Sequence, residues 1–154
     1  MEYSDNTRLP EQIAYERLEN QISWYDSKSV FNQKRYKQIK FAQLLISASI
    51  GIIGALRLSI DPAYIISVLS ILGIVITTLE SVSHLNQYQN NWMTYRSTCE
   101  ALRHEKELYN SKAGAYTGSL EPWVMLSERV ESLVSTEHAK WSTITGTSRI
   151  LTLL

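Results

Sequence analysis

The sequence has few of the residues that mark disulfide-linked, metal-binding or nucleic-acid-binding proteins. Its 154 residues include one cysteine, six glycines and three prolines, and 15 Lys and Arg balance 15 Asp and Glu. A single cysteine excludes an intrachain disulfide, and zero net charge argues against general binding to a nucleic acid polymer. The three histidines form no paired-ligand motif, so the sequence predicts neither a metal site nor a cofactor.

Charge is nearly absent from the middle of the chain. Residues 41–79 hold one acid and one base, whereas the flanking parts hold 14 acids and 14 bases. Phe41–Leu56 is a run of 16 uncharged residues and Pro62–Leu79 a run of 18. As helices these runs measure roughly 24 and 27 Å, close to the roughly 30 Å of bilayer hydrocarbon. The sequence therefore predicts an all-α membrane protein whose two-helix transmembrane hairpin has spans at 41–60 and 62–79.

The predicted hairpin turn contains a helix start signal. Asp61 occupies a favoured N-cap position, and Pro62 takes the first helical position, where a missing N–H costs nothing. A soluble bundle with two buried central helices is the alternative interpretation of the apolar runs. Neither run has a polar side for water, however, and a chain of this length has little material with which to bury both. The membrane hairpin is therefore favoured.

Basic residues near the predicted spans set the expected orientation. Five lie before the first span and Arg96 follows the second, whereas the turn holds only Arg57. Because Lys and Arg stay preferentially on the cytoplasmic side, we expect a multi-pass protein of the inner membrane with both termini in the cytoplasm. The charged first 38 residues lack the apolar segment of a signal peptide, so the spans are expected to be retained. The five basic residues before the first predicted span are Lys28, Lys34, Arg35, Lys37 and Lys40.

The polar parts predict three helices that pack together in the cytosol. Residues 10–40 and 80–112 have apolar residues at roughly helical spacing and no internal glycine or proline, so each is expected to continue without a break into its span. A C-terminal helix over 119–141 would fold back onto these two helices, before a Ser- and Thr-rich tail at 142–154. We expect residues 1–154 to form one two-transmembrane domain.

Each predicted span carries one line of small, weakly polar residues. Such residues let helices pack closely, and in an oligomer they can also face a water-filled path. Packing is the simpler interpretation of each residue, since a pore needs several copies around an axis. Gln43 is the strongest lining candidate, because an amide in lipid is costly without a partner or water. The residues are Gln43, Ser47, Gly51 and Gly54 in the first span and Ser67, Ser70, Gly73 and Thr77 in the second.

No group of residues indicates an active site. Cys99 and His104 are five residues apart and do not share a helix face, so Cys99 is expected to be a small buried residue. The stretch Ser111–Ser119 lacks the spacing of a phosphate-binding loop and reads as a turn with helix caps. Arg96 and Glu100 have the spacing of an ion pair within one helix. We therefore expect no enzymatic activity.

A patterned stretch with the form W-xx-YR-xxx-E-x-L-xx-E-xxx-Y follows the second predicted span, from Trp92 to Tyr109. Together with Trp24-Tyr25 before the first span, Gly114–Tyr116 and a helix ending at Trp141, it resembles the SLATT family. These are two-transmembrane domains associated with nucleotide-signalling defence systems in bacteria. The residues that carry this cytosolic motif are Trp24, Tyr25, Trp92, Tyr95, Arg96, Glu100, Glu105 and Tyr109.

The resemblance implies an antiviral effector that assembles into a homo-oligomer and permeabilises the inner membrane when infection is signalled. Hairpin and cytosolic helices take up all the residues, so the trigger is expected to be a separate sensor protein or a nucleotide second messenger. Trp92, Tyr95 and Arg96 would then lock the cytosolic helices against Trp24 and Tyr25, as the element that a trigger biases. The alternative from another functional class is a membrane-anchored scaffold with no conducting path.

Overall fold

The chain is helical throughout the part that the structure describes. The computed structural model describes residues 9–55 and 61–151, with side chains up to residue 136. Over this part of the chain there are four α-helices, one short 3₁₀ turn and no strand, which confirms the predicted helical class. The last residues of the predicted first span, 56–60, lie outside the described part, as do residues 152–154 and the side chain of Trp141. The helices are α1, Pro10–Ala55; α2, Pro62–Leu85; α3, Tyr88–Asn110; and α4, Pro122–Leu151, with the 3₁₀ turn at Gly114–Tyr116.

Helix α1 has 46 residues and joins the charged N-terminal segment to the first apolar run without interruption, as predicted. No proline follows its first residue, and its first glycine is Gly51, one turn from its end. With neither helix breaker in its interior, nothing in the local sequence ends the helix between the polar and apolar parts.

Helix α2 begins as the sequence predicts but ends before the second cytosolic segment. The Asp61 carboxylate accepts a hydrogen bond of 2.9 Å from the Ala63 amide, which confirms the N-cap. The expected unbroken helix over 62–112 is wrong at Asn86-Gln87, where α2 stops and α3 starts. Gln87 has a φ of 46°, a left-handed conformation that a helix cannot contain. The Asn91 side chain donates to the Asn86 carbonyl at 3.0 Å and so satisfies a backbone group at the end of α2.

Helix α4 is displaced and longer than the predicted helix over 119–141. It starts at Pro122, which suits the first turn, and its backbone stays helical through Leu151. Residues 142–151, part of the predicted Ser- and Thr-rich tail, are therefore helical. The tail has no apolar periodicity from which a helix could be predicted.

The described residues fall into two compact units, which we treat separately. The hairpin unit is Ser29–Met93, and the bundle unit consists of the residues up to Lys28 and from Thr94 onward. The hairpin unit has both apolar runs. The bundle unit has the hydrophobic core, in which α1, α3, the 3₁₀ turn and α4 all take part; its buried residues are Ala14, Leu18, Ile22, Tyr25, Cys99, Leu102, Tyr116, Leu126 and Val130.

Candidate functional site

The two apolar helices of the hairpin unit meet along a seam with alternating steps of three and four residues. On α1 the half-buried seam residues include Ile39, Gln43, Ile46, Ile50 and Ile53, and all of the intervening residues except Lys40 and Ala42 are exposed. This is the heptad spacing of left-handed helix pairs. The matching half-buried residues of α2 are Ile65, Leu69, Leu72, Ile76 and Leu79, with Ser83 buried at the next position.

One flank of this hairpin is marked by an ion pair at its polar end. Lys40 Nζ lies 2.7 Å from Glu80 Oε2, and each side chain is about half exposed. Residues seven apart occupy the same position in a heptad pair, so the flank continues from Lys40 to Ser47 and Gly54 on α1. It likewise continues from Glu80 to Gly73 on α2. Gly51, Ser70 and Thr77 lie three or four residues from these positions and are therefore their neighbours on the helix surface. The two predicted lines of small residues thus run along one flank of the hairpin.

The small residues of this flank do not serve the contact between α1 and α2. A Cβ atom built on Gly51, Gly54 or Gly73 meets nothing within 4 Å, so no close helix approach requires these glycines. Most residues of the two lines are exposed. Their hydroxyls bond along their own helix: Ser67 to the Ala63 carbonyl, Ser70 to the Ile66 carbonyl and Thr77 to the Gly73 carbonyl.

Gln43 differs from the rest of its line because it lies in the seam. Its amide Nε2 donates to Glu80 Oε2 at 2.9 Å and to the Ile76 carbonyl at 3.4 Å. This arrangement provides the hydrogen-bond partner that an amide in an apolar segment needs. The sequence makes Gln43 a candidate for lining a pore or for helix packing. These contacts place it in the packing seam between α1 and α2.

A polar cavity of about 290 Å³ opens on the same flank, beside the ion pair. The hydrogen bond from Lys40 and then that from Gln43 lower the pKa of Glu80, so its carboxylate is charged at neutral pH. The remaining residues that line the cavity are all polar or aromatic: Tyr36, Ser83, His84, Gln87, Gln89 and Asn90. The flank thus joins a line of small residues to a polar cavity with a charged Lys40–Glu80 pair at its edge.

In the bundle unit, part of the predicted cytosolic motif forms an aromatic cluster. The Tyr95 ring lies 5.8 Å from that of Trp24 and 6.0 Å from that of Tyr25, between ring centroids. Trp24 and Tyr25 stand edge to face at 4.8 Å. Trp92 belongs to the hairpin unit, where its carbonyl accepts a 3.4 Å hydrogen bond from Ser29 and its indole N–H is buried without a partner among the described residues.

Arg96, Glu100 and Arg103 form an ion-pair network with Asp26. The spacing of residues in the sequence predicts only part of this network. Arg96 and Arg103 lie 3.5 and 3.1 Å from Asp26, and both also pair with Glu100. The two pairs within α3 follow from their spacing, whereas Asp26 is on α1 and no local pattern could identify it. All four side chains are 37–49% exposed, so each pair contributes little to stability by itself.

Cys99 is fully buried beside this network, as a small core residue is expected to be. Its thiol lies 3.7 Å from the Ile22 carbonyl and 3.8 Å from an Asp26 oxygen. Burial raises the pKa of the Cys99 thiol, which disfavours the thiolate that a nucleophile requires. Within the described residues, no three His, Cys, Asp or Glu side chains come together as a metal site would require.

Two further residues of the motif tie distant segments together. The Glu105 side chain is almost wholly buried, accepts a 2.6 Å hydrogen bond from the Tyr116 hydroxyl and lies 3.4 Å from Arg129. The Tyr109 hydroxyl donates to Glu11 at 2.9 Å. Sequence reasoning missed the partners Glu11, Tyr116 and Arg129, because they are distant in sequence and belong to no spaced motif.

Alkaline pH should weaken the bundle unit through Tyr109. Burial, and then the hydrogen bond to Glu11, raise the pKa of Tyr109 from 10 to about 12. The folded state therefore keeps the phenolic proton to higher pH than the unfolded chain does, and this contribution to stability is present below pH 10 and lost between pH 10 and about 12. We expect the free energy of unfolding to fall less for Tyr109→Phe than for wild type between about pH 9 and about pH 11.

Urea titrations at the two pH values measure this difference. Tyr64→Phe is the matched control, because Tyr64 is 65% exposed and belongs to the hairpin unit. Equal losses in wild type and Tyr109→Phe would show that Tyr109 keeps an ordinary pKa.

Comparison with known proteins places most of the chain in one family. A family model described as a protein of unknown function, DUF4231, matches residues 20–122. The matched segment includes both apolar runs and the Trp92–Tyr109 string. No curated protein and no solved structure matches the chain. The chain belongs to the DUF4231 family.

Proposed function

We propose that the protein is a homo-oligomeric membrane pore in which the small-residue flank of the hairpin lines the conducting path. The observation that carries this proposal is the outward position of that flank. Its glycines and hydroxyls are not needed for contact between α1 and α2, and it ends at the charged cavity beside Lys40 and Glu80. A lining needs this combination of narrow side chains, local hydroxyl dipoles and a hydrated entrance.

Membrane insertion is supported by the exposure of the apolar runs. Two helices are long and apolar enough to cross a membrane, and the most apolar window of each is unburied in the described chain. A core helix of a soluble bundle would be mostly buried, so this exposure favours the bilayer over the soluble alternative. The two apolar helices thus indicate membrane association, and we propose that α1 and α2 both span the bilayer.

The expected orientation follows from the charges of the hairpin unit. Four bases precede the first span within this unit, whereas Arg57 is the single base of the sequence between the two apolar runs. By the preference of Lys and Arg for the cytoplasmic side, we propose an inner-membrane protein with both termini in the cytoplasm. The bundle unit would then be cytosolic.

Several copies are part of the proposal because one hairpin cannot enclose a channel. Closed rings are the usual solution for identical subunits, and a ring would bring the same flank of every hairpin to a common axis.

A defence role is proposed from the resemblance to the SLATT family. The resemblance rests on the Trp92–Tyr109 string, and the DUF4231 match covers the same segment. We propose that a separate sensor protein or a nucleotide second messenger acts on the bundle unit and opens the pore.

Dye release from liposomes tests the pore. The full-length protein would be purified in mild detergent, sized, and reconstituted into vesicles that contain a self-quenched dye. We expect a discrete oligomer whose dye release rises when the sensor protein or the nucleotide messenger is added. A protein that stays monomeric in detergent and in the bilayer would contradict the proposal, because a single hairpin provides no path.

The rival function, a membrane-anchored scaffold, predicts discrete assemblies in vesicles that stay tight under every condition. It also predicts that substitutions on the small-residue flank leave function unchanged. Variants of that flank, such as substitutions of Ser70, therefore separate the two functions.

A further inference from the structure

The hairpin unit and the bundle unit differ in charge. The hairpin unit has five Lys and Arg against two Asp and Glu, whereas the rest of the chain has ten against thirteen. Of the two acids in the hairpin unit, Glu80 is occupied by Lys40 and Gln43, and Asp61 caps α2 at the opposite end. The polar end of the hairpin unit therefore has uncompensated positive charge.

A groove lies between α1 and α2 at this end, on the flank opposite the small-residue line. It has a volume of about 400 Å³, within the range of small-molecule sites. Arg35, Gln38 and the hydroxyl of Tyr88 provide its polar groups. Its floor is apolar and is formed by Ile39, Ala42, Leu79 and Val82.

The groove crosses the level where the predicted spans end. Ala42 is the second residue of the first predicted span, and Leu79 is the last residue of the second. Arg35 precedes Phe41 by six residues, about 9 Å along the helix, which places its side chain at the lipid headgroups rather than in the hydrocarbon. The groove thus has an apolar part at acyl-chain depth and a cationic part at phosphate depth.

The Arg35 guanidinium is positioned within the groove and remains available to a ligand. It lies 5.5 Å from the centre of the Phe31 ring, an arrangement that orients the guanidinium and leaves its donors open. No ion pair of Arg35 is present among the described residues, and its side chain is exposed. A planar guanidinium suits a phosphate because it can donate two parallel hydrogen bonds.

We propose that this groove binds an anionic phospholipid of the surrounding bilayer, with the headgroup phosphate on Arg35 and Gln38 and an acyl chain over Ala42 and Leu79. The inference rests on insertion of the hairpin into the membrane, which is part of the proposed function, and not on conduction. The ligand would have net negative charge because the polar end of the hairpin unit is positively charged. It would be a lipid rather than a soluble phosphate because the apolar floor of the groove can contact an acyl chain.

Native mass spectrometry of the full-length protein in detergent tests this inference, with phosphatidylglycerol and phosphatidylcholine of identical chains as probes. We expect phosphatidylglycerol to bind more tightly, and Arg35→Gln to weaken its binding roughly tenfold, because the variant loses charge-assisted hydrogen bonds to the headgroup phosphate. Lys34→Gln is the matched control: it removes the same charge from an adjacent exposed residue that does not line the groove. Its expected effect is small, because isolated lipid molecules create no membrane surface potential.

Two more variants test the geometry of the groove. Arg35→Lys should recover part of the preference, since it restores the charge without the planar donors. Ala42→Trp should weaken binding of both lipids, because it fills the apolar part. Equal affinity for the two lipids, or equal losses in Arg35→Gln and Lys34→Gln, would overturn the inference.

A soluble competitor separates a lipid from a free phosphate compound. We expect an excess of glycerol phosphate to leave bound phosphatidylglycerol in place, and displacement would overturn the assignment to lipid. A carbonate wash of vesicles containing the protein separates this inference from the proposed function. Protein that stays in the membrane but has no lipid preference contradicts the inference alone, whereas protein released by the wash contradicts both.

Discussion

Ser70→Asp is expected to make the reconstituted protein more selective for cations, whereas Ser49→Asp is expected to impair its insertion. Ser70 lies on the small-residue flank, and Ser49 is exposed outside that flank. Both are deep in the hairpin, about 15 Å from Glu80 and about 14 Å from Lys40 along their helices. A carboxylate beside a water path attracts cations, but a carboxylate in lipid costs about 3 kcal/mol.

Ionic gradients across a planar bilayer provide the selectivity measurement for these variants, and the membrane-bound fraction provides the insertion measurement. Ser70→Asn and Ser49→Asn control for side-chain size without charge. Similar behaviour of the two Asp variants would mean that the two faces have the same surroundings, as a lipid-embedded tether requires.

Leu102→Ala should cost the bundle unit about 2–5 kcal/mol of unfolding free energy. Leu102 is fully buried on α3 in the core that also holds Leu18 and Leu126, so truncation leaves a cavity lined by neighbours that cannot fully collapse. Leu120→Ala makes the same chemical change at a residue that is 98% exposed, and we expect a change within about 0.5 kcal/mol.

Thermal and denaturant unfolding in mild detergent measure the two leucine variants. Tryptophan fluorescence can follow the bundle unit, because Trp24 and Trp123 both belong to it. Equal destabilisation by the two substitutions would show that the packed core around Leu102 is absent in solution.

Much of the helical architecture could be predicted because its signals are local. Uncharged runs near bilayer length, an N-cap at Asp61 and a proline at the first helical position together define where α2 begins. Absence of glycine and proline predicts the long interior of α1 in the same way. The break after Asn86 could not be predicted, since it depends on side-chain amides that satisfy backbone groups rather than on a glycine or proline.

The apolar stripe predicted over residues 10–40, which includes Ile13, Leu18, Ile22, Tyr25 and Val30, is only partly buried. In the bundle unit Leu18, Ile22 and Tyr25 are buried but Ile13 is exposed. In the hairpin unit Val30 is exposed while Ser29 and Asn32 are buried. A continued seam with steps of three and four residues passes through these polar positions. A prediction from hydrophobicity alone therefore selects Val30 as the buried residue, whereas the adjacent Ser29 is buried.

The candidate site was predicted as two separate lines of small residues. That both lines lie on one flank follows only when the register of α1 against α2 is known, and the Lys40–Glu80 pair fixes that register. The partners Asp26, Tyr116 and Arg129 were missed for the same reason: they are brought to the motif by tertiary folding from other helices and turns.

Thiol labelling across the hairpin tests most directly whether one flank faces water. Cys99→Ala removes the single native cysteine, and Ser47→Cys, Ser70→Cys, Thr77→Cys and Ser49→Cys are introduced one at a time. In vesicles made leaky by the protein, a water-soluble thiol reagent should label the first three and leave Ser49→Cys unlabelled, because only a hydrated thiol forms the reactive thiolate. Equal labelling at all four positions, or none at any, would contradict a conducting path along this flank.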